Sequence, residues 1–187
     1  MLALKFLGRT KALYCGFVIQ PSAPTSSPRL KSSIQLMFSD VLIRPAIVSE
    51  RETLEALQTR SSLSNPGDRE ALLANPGAIE LPSEQISARQ VFVLEQGGAI
   101  VAFAVIVPRD DGDTELDGLF VEPSMWRRGI GRLLVEYCAE VARSGGSPAL
   151  HVVGNPHADR FYLACGFKMI GTAETRFGVG LLLQKSL

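Results

Sequence analysis

The sequence has few of the residues that build disulfide frameworks and metal sites. It contains three cysteines, none of them in a CxxC pair, and two histidines that stand apart from the cysteines. This pattern indicates neither a disulfide scaffold nor a Cys/His metal site, so we expect no bound metal. Cysteines without a paired framework are typical of a reducing compartment, which predicts a cytoplasmic protein.

The chain also lacks net charge and long apolar runs. It has 19 basic and 19 acidic residues, whereas general nucleic-acid binding needs a basic surface that displaces counterions. The longest apolar run near the start, residues 12–19, is too short to cross a bilayer. We therefore expect neither nucleic acid nor a membrane as a partner. A length of 187 residues with 46% hydrophobic residues suits one domain with a full core.

Charge is unevenly distributed near the start of the chain. Residues 1–39 include five of the basic residues and none of the acidic ones, and residues 20–33 are a Pro/Ser-rich stretch typical of a linker. Three interpretations of the first residues stay open: a mis-assigned start with Met37 as the true first residue, a basic targeting peptide, or a disordered arm with its own role. The sequence thus predicts an N-terminal extension over 1–39 and one compact domain over 40–187.

The compact part predicts a mixture of helices and strands. After a short strand over 41–45, Ser49 and Glu52 form a capping box that opens a helix running towards Arg60. Asp68 can cap a second helix, and glycines 97 and 98 lie between two apolar runs, which predicts a hairpin. The predicted elements after the first helix are a helix over 68–74, strands over 90–95, 99–107, 115–121 and 149–153, a helix over 158–165, and closing strands around 167–171 and 177–184.

One further helix is predicted from Gly129 to Gly145. Its apolar residues follow helical spacing, and Gly145-Gly146 is a plausible C-terminal cap; the apolar residues are Ile130, Leu133, Leu134, Tyr137, Cys138 and Val141. The turn before it reads RRGIGR over residues 127–132. Glycines allow a phosphate to approach the backbone, and the free N–H groups of a helix start attract it. A lone GxG fits a tight turn equally well, and no third glycine stands at the dinucleotide-binding spacing.

A second motif decides between these alternatives. Residues 155–167 follow the pattern N-x-x-A-x-x-F-Y-x-x-x-G-F, carried by Asn155, Ala158, Phe161, Tyr162, Gly166 and Phe167. Together with the glycine turn, this sequence resembles the GNAT superfamily of N-acetyltransferases over roughly residues 40–185. The resemblance implies an α+β fold: a central mixed, mostly antiparallel sheet flanked by helices, with a splayed strand pair that holds coenzyme A (CoA).

The resemblance also implies acetyl-CoA as co-substrate and the residues that bind it. These are Leu119, Phe120 and Val121 on the strand, Arg127, Arg128, Gly129, Ile130, Gly131 and Arg132 in the turn, and Asn155, Ala158 and Phe161 in the second motif. The backbone N–H of Val121 is the expected donor to the thioester carbonyl or the pantetheine arm. One position departs from the family, because Trp126 stands where an Arg or Gln precedes the first glycine by three residues.

The implied reaction is direct transfer of an acetyl group from acetyl-CoA to a primary amine. Tyr162 matches the family's tyrosine that protonates the CoA sulfur, although a packed aromatic is the alternative. Glu115 lies where some histone acetyltransferases of the superfamily place their base; Asp117 on the same strand face, or a water relay, are the alternatives. Asn155 is equally explained as the cap of an Asn-Pro turn, and Phe161 as core.

Several points stay open in the sequence. A catalytically silent acyl-CoA-binding or sensing module is the alternative function. The acceptor is a small-molecule or protein amine, and the acidic residues over 110–117 favour a cationic one unless they are only a solvated loop. His151 is interpreted as a packed strand residue and His157 as a surface residue, and the closing strand is a candidate for pairing in a homodimer.

Overall fold

The computed structural model describes residues 40–175 and 178–187. The predicted extension over 1–39 and the first residue of the last predicted strand, Phe177, lie outside these residues. The helices are α1 (Arg51–Ser64), α2 (Pro66–Ala74), α3 (Ser83–Ser87), α4 (Ile130–Ser144) and α5 (Asp159–Ala164). The strands are β1 (Val41–Pro45), β2 (Val91–Gln96), β3 (Ala99–Pro108), β4 (Thr114–Val121), β5 (Ala149–Gly154), β6 (Lys168–Thr175) and β7 (Gly178–Ser186). In this part of the chain, no helix combines the length and the apolar character needed to cross a membrane.

The described strands form one open, seven-stranded sheet in the order β1-β2-β3-β4-β5-β7-β6. Neighbouring strands are antiparallel except β4 and β5, which run parallel. The predicted hairpin is present, with β2 and β3 joined at glycines 97 and 98, both of which have positive φ. The predicted α+β class and the mixed, mostly antiparallel sheet are therefore confirmed.

Helices cover the two faces of the sheet and bury two apolar clusters. Helix α4 packs on one face, with Ile130, Leu134 and Cys138 buried at the predicted helical spacing. Helix α1 packs on the other face, where Leu54 and Leu57 are fully buried. Each such leucine stabilises the fold by about 2 kcal/mol, since its apolar surface leaves water. Both helices are thereby fixed against the central strands β3 and β4.

The predicted capping box at the start of α1 is wrong. A 3₁₀ turn over Val48–Glu50 precedes the helix, and the carboxylate of Glu50 accepts a hydrogen bond of 2.9 Å from the backbone N–H of Ile47. The same carboxylate forms an ion pair with Arg44 at 2.6 Å. Glu50 therefore fixes this entry instead of Ser49 and Glu52. The helix also ends at Ser64, one turn beyond the predicted end at Arg60.

Candidate active site

The parallel strands β4 and β5 separate soon after they begin. Their only described pairs are Thr114 with Leu150 and Glu115 with His151, so most of β4 has no strand beside it on this side. The predicted splayed pair is confirmed. The N–H of Glu122 donates to the carbonyl of Val101 on β3 at 2.8 Å. Because N–H directions alternate along a strand, the N–H of Val121 points towards β5, into the gap.

The end of β4 is held by two side chains that bind one carbonyl oxygen. Ser61 Oγ and Trp126 Nε1 each donate to the carbonyl of Val121 at 2.8 Å. Trp126 thus fixes the strand end at the position where the family has an Arg or Gln. No sequence pattern indicated this hydrogen bond, since an indole and a carbonyl five residues apart carry no motif of their own.

The turn between β4 and α4 has an unusual backbone. Arg127 and Gly129 both lie in the left-handed region, with φ of +61° and +82°, and α4 begins at Ile130. The first N–H groups of a helix have no partner within it and are available to an anion. A left-handed arginine is strained, and such strain is concentrated at ligand sites. The turn therefore combines a strained backbone with a helix start, and its binding of phosphate stays a prediction.

The two glycines of the turn differ in what they face. Gly129 is exposed, whereas Gly131 is buried, and a Cβ added to it would lie 3.4 Å from Phe161 and 3.6 Å from Val121. Gly131 therefore allows close packing of α4 against α5 and the end of β4. Gly129 is the glycine that leaves the turn open to a ligand.

The three arginines of the turn are also unequal. Arg132 forms an ion pair with Glu136 at 2.8 Å, one helical turn on. Arg127 and Arg128 are exposed and form no ion pair with another described residue. Positive charge at the turn that is not already matched by a carboxylate thus comes from these two side chains.

Of the predicted strand residues, Leu119 and Val121 pack with α4, while Phe120 lies in the opposite cluster 4.9 Å from the ring of Phe103. Their side chains are core, so only their backbone groups can face the gap.

Tyr162 is on α5, and its side chain is buried against β5. It is 1% exposed, and its ring stacks edge-on against Phe161 at 5.2 Å and Phe167 at 5.5 Å. Gly154 makes room for it, since a Cβ there would meet the ring at 2.9 Å. Burial raises the pKa of the Tyr162 hydroxyl above its usual value, and the nearby Cys165 and Asp68 add to this. The raised pKa favours the protonated form of the hydroxyl.

Asn155 is engaged at both ends of its side chain. Its Oδ1 accepts from the backbone N–H of His157 at 2.9 Å, which caps the 3₁₀ turn Pro156–Ala158, and its Nδ2 donates to Asp68 at 2.5 Å. Ala158 is buried beside Tyr162, and Phe161 is partly buried against the same cluster. The roles of these side chains towards a cofactor stay predictions.

Asp68 is a site residue that the sequence did not indicate. Helix α2 begins before it, at Pro66, so the predicted cap is wrong. Its carboxylate instead accepts from Asn155 and, at 2.7 Å, from Nδ2 of Asn65. It is 1% exposed, and burial raises its pKa to about 6, against the effect of the two amide hydrogen bonds. Asp68 therefore links α2 to the segment that carries Tyr162.

This burial predicts a pH dependence of stability. In the unfolded chain the carboxyl of Asp68 has its ordinary pKa of 3.8, against about 6 when folded. Between these two pH values the folded state holds a proton that the unfolded state releases. The stabilisation of the fold by the protonated Asp68 carboxyl is therefore complete below pH 3.8 and is lost as the pH rises through 6. As the pH rises across this interval, the free energy of unfolding of the wild type should fall by about 3 kcal/mol relative to that of Asp68→Asn.

Urea unfolding of both proteins across this interval measures the difference. Asp40→Asn is the matched control, because Asp40 is exposed, and it should show no such difference. Parallel curves for wild type and Asp68→Asn would contradict the buried, shifted carboxyl.

A polar cluster lies where β4 and β5 are still paired. Glu115 is bound by Arg109 at 3.3 Å, and Arg109 also holds Asp111 at 2.8 Å. His151, directly opposite Glu115, lies 2.7 Å from a carboxylate oxygen of Asp113. His151 is thus packed on its strand as predicted, but in a contact with a carboxylate that the sequence did not indicate; His157 is exposed, as predicted. Within residues 40–175 and 178–187, no three His, Cys, Asp or Glu side chains are placed to hold a metal.

Comparisons with known proteins agree with this architecture. The model of the Acetyltransferase (GNAT) family matches residues 57–167. An uncharacterized N-acetyltransferase of Mycobacterium bovis is 34% identical over 95 residues, which are 48% of this chain and 60% of that protein. The chain therefore spans less than two thirds of this relative.

Two solved structures share the fold at low sequence identity. The PaiA N-acetyltransferase of Thermoplasma acidophilum, in complex with coenzyme A, superposes with a TM-score of 0.65 at 17% identity, covering 79% of this chain and 99% of that one. YncA of Salmonella typhimurium, with its cofactor acetyl-CoA, gives a TM-score of 0.59 at 19% identity, covering 79% and 94%. At these identities the likeness concerns the fold.

Proposed function

The chain belongs to the GNAT acetyltransferase family, and from this premise we propose that it transfers an acetyl group from acetyl-CoA directly to a primary amine. The observation that carries the proposal is the gap between β4 and β5 above the Gly129 turn. Its wall offers the Val121 N–H, and its mouth offers the first N–H groups of α4. An extended arm that ends in phosphates fits this combination of an unpaired strand backbone and a helix start.

The residues of the turn bind the phosphate end in this proposal. The backbone N–H groups of residues 127–132 donate to the pyrophosphate, and the exposed Arg127 and Arg128 add positive charge. Arg132, already paired with Glu136, contributes less. The backbone of residues 119–121 borders the pantetheine arm on one side, and the segment with Asn155, Ala158 and Phe161 borders it on the other.

The chemistry requires a thioester, which acetyl-CoA supplies, and groups that move protons. The Val121 N–H polarises the thioester carbonyl or holds the arm. The Tyr162 hydroxyl protonates the departing thiolate, in a place too buried for water to do so readily. For the base, Glu115, Asp117 and a water relay are the family's alternatives.

The setting we propose is the cytoplasm, because three cysteines without a paired framework suit a reducing compartment. Both described cysteines, Cys138 and Cys165, are free thiols. A homodimer stays a prediction, but the last strand cannot form it by edge pairing as expected, because β7 lies between β5 and β6.

CoA release tests the proposed function. Wild-type protein is mixed with acetyl-CoA and a panel of polyamines, aminoglycosides and lysine peptides, and the free thiol is measured; CoA affinity is measured by calorimetry. Release that depends on one class of amine supports the enzyme. Tight CoA binding without release on any amine favours the silent sensing module, and no binding of CoA contradicts both.

A further inference from the structure

His151 lies at the point where the two central strands begin to diverge. It forms the second and last described β4–β5 pair, opposite Glu115. Directly paired residues project to the same sheet face, so His151 shares the face of Glu115 and not that of α4. Its neighbours Leu150 and Val152 point the other way, into the α4 core. The ring therefore stands at the vertex of the proposed acetyl-CoA gap, beside the candidate bases on β4.

The ring is held by Asp113. Its Nε2 lies 2.7 Å from Oδ2 of Asp113. The amide nitrogen of Gln184, the residue opposite on β7, lies 3.3 Å from the same Nε2 and is not its hydrogen-bond partner when Nε2 carries the proton. The side chains of His151 and Asp113 are 14% and 15% exposed. When Nε2–H donates to the carboxylate, Nδ1 is left with the lone pair that accepts a proton. A histidine oriented in this way by a carboxylate is the arrangement of a general base.

Glu115 is less free to act as the base. Its Oε2 is held by Arg109 at 3.3 Å. The arginine is shared with Asp111. In this cluster the carboxylate of Glu115 forms an ion pair with Arg109, whereas the carboxylate of Asp113 contacts His151.

We propose that His151, oriented by Asp113, is the general base of the acetyl transfer. This inference rests on the proposed function. Nδ1 accepts one proton from the acceptor ammonium, directly or through one water molecule, and the neutral nitrogen attacks the thioester carbon. The C–N bond forms, the C–S bond breaks, and the thiolate takes the proton of Tyr162. The second proton lost by the nitrogen returns to the tyrosinate, and His151 releases its own proton to solvent.

The charges around the ring suit a cationic acceptor. Asp113, just before β4, and Glu115 on β4 lie beside it. Asp111 is close enough for the histidine to lower that carboxyl's pKa, after the larger effect of Arg109. Asp117 follows Glu115 on the same face. The basic groups are Arg109, whose charge is matched by two carboxylates, and Lys168, which is opposite Gln184 on β6. An ammonium approaching His151 therefore meets mainly negative charge.

The pH dependence of kcat/KM, measured with one accepted amine, tests this role. Histidine is the side chain whose ordinary pKa lies nearest neutrality, and the chain has only two. His151→Gln should lower kcat about 100-fold at neutral pH, leave CoA affinity unchanged, and remove the acid limb of the profile. The effect stays at the lower end of the usual range because the His151 side chain is 14% exposed, so that water can reach its place and partly replace the base. Activity should recover at high pH, where solvent deprotonates the amine.

Two further variants sharpen the result. His157→Gln is the matched control, because His157 is exposed and donates only its backbone N–H to Asn155; it should behave as wild type. Asp113→Asn should lower kcat while KM and CoA affinity stay those of wild type, because the ring loses the carboxylate that orients it.

Three outcomes would overturn the role of His151. The role is overturned if folded, CoA-binding His151→Gln keeps the acid limb of the wild-type pH profile. If Glu115→Gln loses that limb and His151→Gln does not, the base is Glu115. Should His151→Gln fail to fold, an unchanged kcat in folded, CoA-binding Asp113→Asn overturns it equally. No CoA release by wild type with any amine overturns the proposed function itself, and with it this role.

Discussion

Gly129→Glu is expected to abolish CoA binding, lowering the affinity at least about 1000-fold. The introduced carboxylate would stand at the mouth of the turn, against the phosphates that the turn is proposed to hold. Two like charges about 4 Å apart near a protein surface repel by about 4 kcal/mol, which is three powers of ten in affinity. Calorimetric titration with CoA measures the loss.

The backbone contributes separately to this result. Gly129 has φ of +82°, and a side chain in the left-handed region costs about 1–2 kcal/mol. This strain is present with or without ligand, so it lowers stability and leaves affinity nearly unchanged. Gly129→Ala should therefore lose thermal stability but keep most CoA binding, which separates strain from charge.

Gly146→Glu is the matched control for the charged variant. Gly146 has φ of +86°, lies beyond the other end of α4, and has open space around its Cα. The same strain and the same charge are thus introduced on the same helix, far from the turn. Equal CoA affinity in the two glutamate variants would refute the assignment of the Gly129 turn to the phosphates.

The sequence predicts the local parts of this molecule well. Helix α4 follows from its apolar spacing, and Gly145 caps it with N–H bonds to Val141 and Arg143. The hairpin at Gly97-Gly98 and the strand before the turn also follow from short-range patterns. In each case the residues that determine the structure are neighbours in sequence, so a local pattern contains the information.

The contacts that complete the site are long-range. Asp68 meets Asn155 across 87 residues, and Asp113 meets His151 across 38. A local pattern assigns Asp68 to a helix cap and His151 to packing, because nothing near either residue reveals its partner. Glu50 shows the same competition, since its ion pair with Arg44 and its bond to Ile47 replace the predicted capping box. Motif resemblance locates the cofactor segments but not these partners.

Tyr162→Phe is expected to lower kcat about 1000-fold while CoA affinity and stability stay near those of wild type. The substitution removes the hydroxyl alone, so the edge-on contacts of the ring with Phe161 and Phe167 remain. A general acid contributes about 10²–10⁴-fold in rate. The loss should exceed that of His151→Gln because Tyr162 is 1% exposed, so water has little access to replace the missing proton donor.

Tyr137→Phe provides the control that separates proton donation from the general effect of losing a tyrosine hydroxyl. Tyr137 lies on α4, where its ring packs on Phe92 at 5.4 Å, away from the β4–β5 gap. Its kcat should equal that of wild type. Removing a proton donor that acts only in the transition state lowers kcat and kcat/KM together and leaves substrate affinity unchanged. A Tyr162→Phe enzyme with unaltered kcat would show that Tyr162 is a packing residue and that the thiolate leaves protonated by solvent.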